Sequence, residues 1–204
     1  MVAPLSSGTT PAEATEDLVR RLDALGSFRA EFKQRTYRED GTLLEDASGN
    51  FTFARPDRIR WEVEDPFPQV IVSNGLRAAV FDPDLEQLVI HEIRAHETSI
   101  REILGLGTAE LAKRFEVAKE ADTFTLLPVQ PAELYSSLSL HFSAAVLIGI
   151  TLDDKLGTVT EFGFMNMRPF GSTDPGHFVI DIAVGTDVVG NAEEFLRRQV
   201  DQEE

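Results

Sequence analysis

The chain has 204 residues, 42% hydrophobic and 8% aromatic, which suits one folded domain with a substantial core and argues against intrinsic disorder. Nineteen basic against thirty-five acidic residues give a net charge of -16, which repels nucleic acid and anionic lipid surfaces and speaks against a DNA or RNA role. With no cysteine in the sequence, disulfides, thiolate chemistry, Cys-based zinc sites and a lipid-modified N-terminal cysteine are excluded for these residues.

Residues 1–14 are small, polar and Pro-containing and read as a flexible leader; Met1 to Glu16 has neither a basic start nor an apolar centre, so no signal peptide is expected there. No apolar run of about 18 or more residues predicts a membrane-spanning helix. From Thr15, the spacing of Leu18, Leu22 and Leu25 predicts an amphipathic helix capped by Thr15 and ended by Gly26. From Phe28 to Ile93 the period falls to two. Strands are predicted near 28–37, 43–53, 58–64, 69–73, 76–82 and 85–93, punctuated by Asp40-Gly41, Arg55-Pro56, Asp65-Pro66, Asn74-Gly75 and Asp82-Pro83. Asn74-Gly75 is the strongest hairpin signal, since both residues tolerate positive φ. Between His96 and Phe115 the helical period returns through Ile100, Ile103, Leu104, Leu111 and Phe115, with Gly105 and Gly107 expected to split it into two short helices. Strand patterns resume near 115–120, 122–128, 137–142, 145–152, 158–167 and 177–182. Residues 15–190 therefore read as one domain, and the charged stretch 191–204 as a tail or frayed helix.

Consecutive antiparallel strands in this number curl as their twist accumulates, and the interposed helical segments, apolar on one face, are natural covers for the inner side. The expected class is therefore α+β.

Residues that would carry chemistry are poorly arranged for it. His91, His96, His141 and His177 form no helical i,i+4 pair and have no carboxylates set to complete a metal site. Gly105-Leu106-Gly107 has Glu110 where a dinucleotide loop needs its third glycine. No Gly-x-Ser-x-Gly elbow or Gly-Lys-Ser/Thr loop occurs, and Asp82, Asp84, Asp153 and Asp154 stand beside turn residues, where acids commonly accept backbone hydrogen bonds.

What stands out is a surplus of large apolar side chains: Phe51, Phe53, Ile59, Trp61, Phe81, Leu88 and Ile90 on alternating strand positions, and Ile100, Ile103 and Leu104 in the helical stretch. One reading is an ordinary core; the other is a half-barrel left incompletely filled, whose lining takes hydrocarbon chains at about 0.8 kcal/mol per buried methylene. Arg55, at the corner between two strands, is either a surface arginine or a latch. As a latch it is expected to donate to helix-end carbonyls of residues 98–115, at about 1–3 kcal/mol.

Taken together, Leu22-x-x-Leu25-x-Ser27-Phe28-x-Ala30-x-Phe32-x-Gln34, Gly49-x-Phe51 to Arg55-Pro56 and Trp61, Val72-Ser73-Asn74-Gly75, Ile103-Leu104-Gly105 through Leu111 to Phe115, and Phe124-x-Leu126-x-Pro128 resemble the periplasmic outer-membrane lipoprotein carrier family, LolA, over about residues 15–190. The resemblance implies an unclosed antiparallel β-barrel of about 11 strands with an α-helical lid over an apolar cavity. It also implies a monomeric periplasmic carrier, without enzymatic activity, cofactor or metal. Such a carrier takes acylated lipoproteins from an inner-membrane ABC-type exporter to an outer-membrane receptor. By position, Arg55 matches the lid-holding arginine, whereas Ile59 stands where members have an aromatic side chain, and residues 141–177 depart from the family pattern as an insertion or altered loop. A carrier of another lipid-like product, a lipid-sensing regulatory domain and a hydrolase are the competing functions.

Overall fold

In a computed structural model of the chain, the described residues are 9–74, 76–92, 100–130, 135–171, 175–191, 193 and 195–198. Helix α1 spans Pro11–Leu25 and begins before the expected Thr15 cap. Thr10 is the N-cap: its hydroxyl accepts from the Glu13 N–H, the Glu13 carboxylate accepts from the Thr10 N–H at 2.9 Å, and Pro11 takes the first helical position, where its missing N–H costs nothing. Thr15 is buried within the helix and donates its hydroxyl to the Pro11 carbonyl at 2.7 Å. The tail contains a strand instead of a frayed helix, β14 (Leu196–Arg198).

The strands are β1 (Phe28–Tyr37), β2 (Leu43–Ala54), β3 (Arg58–Asp65), β4 (Gln69–Ser73), β5 (Arg77–Asp82), β6 (Gln87–Glu92), β7 (Phe115–Glu120), β8 (Thr123–Pro128), β9 (Tyr135–Ser143), β10 (Val146–Asp154), β11 (Val159–Pro169), β12 (Ile180–Ile182) and β13 (Asp187–Val189), besides β14. Twelve of them form one sheet in the order β13-β6-β5-β4-β3-β2-β1-β11-β10-β9-β8-β7, against the eleven or so expected. It is antiparallel except at its edge, where β13 runs parallel to β6. The sheet does not close: β13 ends one side and β7 the other, so the α+β open barrel expected from the sequence is the observed fold. Residues 141–177 are no insertion for the most part, since β10 and β11 stand in the middle of the sheet, β11 pairing with β1. The β4–β5 hairpin forms as expected; its Gly75 lies outside the described residues, and the Asn74 side chain accepts from the Leu76 and Arg77 N–H groups at 3.1 and 3.0 Å.

Two short helices, α2 (Ile100–Gly105) and α3 (Thr108–Arg114), follow β6, and the break falls at Gly105 and Gly107 as the sequence predicts. Together with α1 they cover one face of the sheet, here called inner. Leu18, Val19 and Leu22 of α1, Ile103 and Leu104 of α2 and Leu111 of α3 share one core with Phe28, Phe32, Phe51, Phe53, Phe115, Phe124, Ile150, Phe162 and Phe164 of the strands. Each fully buried Leu or Val of α1 contributes about 1.5–3 kcal/mol.

The outer face of β2–β6 is covered too, by the C-terminal chain. Phe178, Ile180, Ile182 and Phe195 form a second core with Ala54, Val72, Ala79 and Leu88. Arg60 fastens this strap by donating to the His177 and Val179 carbonyls at 3.3 and 3.0 Å, and His177 is hydrogen-bonded through Nε2 to the buried Thr52 hydroxyl at 3.2 Å. The central part of the molecule thus has three layers, helices, sheet and strap.

Candidate functional site

Strand register sorts the candidate residues into two sets. On the inner face Phe51 pairs with Trp61 and Phe53 with Ile59, and all four belong to or pack against the core beneath the helices. Phe51 and Phe53 are 1% exposed, and Trp61 makes ring contacts with Phe32, Phe51 and Phe162 at centroid separations of 4.7, 5.0 and 5.2 Å. Ile103 and Leu104 face this wall from α2. The Ile100 side chain lies outside the described residues.

Phe81, Leu88 and Ile90 belong elsewhere. They lie on the outer face, in the core under the C-terminal strap, and so do not line the inner hollow for which the sequence suggested them. The reason is the period of the strand: Leu88 and Ile90 flank Val89, which pairs with Val80 and, through it, with Ile71 and Trp61 on the inner face. The inner positions of β4–β6 are therefore Ile71, Val80 and Val89, which alternation alone did not separate from their neighbours because both faces are apolar there.

Arg55 reaches a helix end, but that of α1 and not the 98–115 region expected from the sequence. Its Nη2 donates to the Leu22 carbonyl at 2.6 Å, and Nη1 stands 3.1 Å from Asp23 Oδ1, so it grips the C-terminal turn of α1. Its backbone N–H donates to Ser27 Oγ at 3.0 Å, tying the same corner to the start of β1. Its Nε is buried with no acceptor among the described residues. The sequence signal for this partner was available in Leu22 and Asp23, at the last turn of a helix whose late carbonyls lack intrahelical donors.

The 98–115 region meets the corner by another route. A Cβ at Gly105 would lie 2.1 Å from the Pro56 carbonyl oxygen, so α2 ends in backbone contact with the residue after Arg55. The Arg55-Pro56 corner therefore touches the ends of both α1 and α2, one through a side chain and one through main chain.

The middle of α1 is clamped electrostatically. Asp17 accepts from Lys119 Nζ of β7 at 2.7 Å and also pairs with Arg20 and Arg21. The hydrogen bond from Lys119 holds its carboxyl below the usual aspartate range, against the opposing effect of burial. Arg21 reaches across the β8–β9 end, donating to the Ala144 carbonyl and to Asp122 at 2.8 Å each, with its guanidinium 5.3 Å from the ring centres of Phe124 and Phe142.

Among the described residues, His141 and Asp154 are held in local hydrogen bonds of the sheet and its turns. His141 lies between Thr123 and Thr151 hydroxyls, and Asp154 accepts from the Leu156 and Thr158 N–H groups in a turn. Among the same residues no group of three His, Cys, Asp or Glu side chains stands close enough together to hold a metal ion.

Comparison with known proteins agrees with this construction. The family model described as "Outer membrane lipoprotein carrier protein LolA" matches residues 23–181. An outer-membrane lipoprotein carrier protein of Chromohalobacter salexigens is 33% identical over 179 residues, covering 85% of each chain. One of Pseudomonas putida is 32% identical over 199 residues, covering 93% of this chain and 96% of its own. Among solved structures, a conserved protein of Thermus thermophilus superposes with a TM-score of 0.54 at 12% identity, covering 91% of this chain and 99% of its own, which speaks to fold alone. The chain belongs to the outer-membrane lipoprotein carrier protein family, LolA.

Proposed function

We propose that the chain is a non-enzymatic periplasmic carrier that holds the acyl chains of lipoproteins against the inner face of its open barrel. The observation that carries this reading is a phenylalanine- and tryptophan-lined wall on a sheet that does not close, covered by three helices whose corner is fastened by one arginine. Charge supports a water-borne carrier: at -16 the protein is kept in solution and off anionic membrane surfaces.

In the described arrangement α1, α2 and α3 fill the hollow with their own Leu and Ile side chains. An acyl chain would take the place of those side chains, exchanging one apolar contact for another, so that helix lifting is compensated methylene by methylene at about 0.8 kcal/mol each. Arg55 sets the threshold. Cargo comes from an inner-membrane ABC-type exporter and leaves to an outer-membrane receptor, and the direction of transfer follows the difference in affinity between successive holders.

The test is titration with a triacylated lipopeptide followed by Trp61 emission, Trp61 being the single tryptophan of the chain. Saturation at one lipopeptide per protein is the expected result. Absence of binding at micromolar concentration would remove the reading.

A further inference from the structure

On the inner face, one straight row of side chains crosses the sheet: Phe51 pairs with Trp61, Trp61 with Ile71, Ile71 with Val80, and Val80 with Val89. The two halves of this row differ. Phe51 is part of the core under the helices and Trp61 packs against it, whereas Ile71, Val80 and Val89 belong to neither core and are half-buried. Three aliphatic side chains in register, outside both packed cores of the described residues, leave an apolar strip continuous with the main wall. From Trp61 to Val89 it crosses three strand spacings, roughly 14 Å at about 4.8 Å each.

The strip is one residue wide. The next inner positions toward one side are Ser73 and Ala78, which pair with each other, and then the exposed His91 opposite Ala78. Toward the other side they are Gln69, opposite Val63, and the pair Asp82 and Gln87. A partner protein or lipid surface would need a broad apolar area, which Gln69, Asp82 and Gln87 on one flank and His91 on the other deny. A single hydrocarbon chain needs only a line of contacts.

We infer that this strip is a first landing track for one acyl chain, used while the Arg55 latch on α1 is still closed, the remaining chains following only after the helices lift. The inference rests on the carrier reading above and refines it. Arg55 lies in the turn between β2 and β3 and grips Leu22 and Asp23 of α1, and Ile71, Val80 and Val89 are not among the core residues that pack against α1. Binding along the strip therefore leaves the latch intact. It also brings the chain's end against Trp61, whose ring borders both the strip and the helix-covered wall.

The probe is a fatty acid brominated along its chain, which quenches a tryptophan on contact, compared with a triacylated lipopeptide. The expected result is quenching of Trp61 that saturates at one fatty acid per protein. Val80→Asp, by placing a charge in the strip, is expected to weaken it by about tenfold or more. Val80→Thr keeps shape and strand propensity, so it guards against a folding artefact, and is expected to weaken binding roughly fivefold. Amide exchange in the last turn of α1 should stay unchanged with the fatty acid and rise with the lipopeptide. The inference is overturned if the fatty acid also raises exchange there, if both Val80 variants bind it normally, or if only the lipopeptide binds. Failure of both ligands to bind would instead remove the carrier reading itself.

Discussion

Replacing Arg55 by leucine tests the latch most directly. The substitution removes a charged donor from the Leu22 carbonyl, an interaction of about 1.5–3 kcal/mol in general. It also removes the pair with Asp23, whose side chain is 61% exposed against 31% for Arg55, so that solvent screening leaves it about 0.2–1 kcal/mol. Against this stands the buried Arg55 Nε, which has no acceptor among the described residues and whose desolvation leucine abolishes. The balance is a loss of about 1–2 kcal/mol from the closed arrangement, or a factor of about 5–30 in the ratio of open to closed helices. Hydrogen exchange resolves it: amides in the last turn of α1 should exchange faster by that factor, while amides of β1 and β11 at the sheet centre hold their protection. Equal acceleration at both places would mean that Arg55 supports the whole fold and that the latch reasoning is wrong. So would unchanged exchange in α1.

Three further predictions test the surroundings. Gly105→Ala drives a methyl group into the Pro56 carbonyl and should push α2 off the corner at a cost of about 1–3 kcal/mol, seen as faster proteolysis of the α2–α3 segment without loss of sheet circular dichroism. Leu88→Ala, under the strap and fully buried, should lower unfolding stability by about 2–5 kcal/mol while leaving lipopeptide affinity unchanged; a matching loss of affinity would return Leu88 to the hollow. The Asp17 carboxyl is lowered by Lys119, so its contribution to α1 docking is complete above the ordinary aspartate value of 3.8 and fades as pH falls through the lower folded value. Exchange of α1 amides, corrected for intrinsic rates, should therefore accelerate below about pH 4 in the wild type, and Asp17→Asn should flatten that dependence.

The strands and their turns were legible because each carried its own chemistry: alternation in Phe28-x-Ala30-x-Phe32, glycines where α2 breaks from α3, and Asn74 in the tight hairpin. The wall under the helices was legible for the same reason in β2 and β3. What failed was the assignment of faces in β4–β6. Val70-Ile71-Val72 and Leu88-Val89-Ile90 are unbroken apolar triplets, apolar on both faces of the sheet, so that alternation does not say which face the core takes. A second cover was present as Phe178, Ile180, Ile182 and Phe195, but apolar residues in a C-terminal segment do not announce which face they will seek. Long-range pairing also explains the misplaced partner of Arg55: Leu22 and the 98–115 helices offer equivalent helix-end carbonyls, and only the crossing of α1 over the sheet decides between them.

An unclosed sheet has free rims, and rims invite neighbouring molecules to polymerise strand upon strand. Here β13 caps one rim in a short parallel pairing, Asp187 to Val189 against Gln87 to Val89, bringing an acidic residue to the border. On the other rim Lys119 of β7 is tied to α1 through Asp17, so that the helix guards the strand it leans upon. On the carrier reading proposed above, the seams of the sheet stay sewn while its interior is briefly bare.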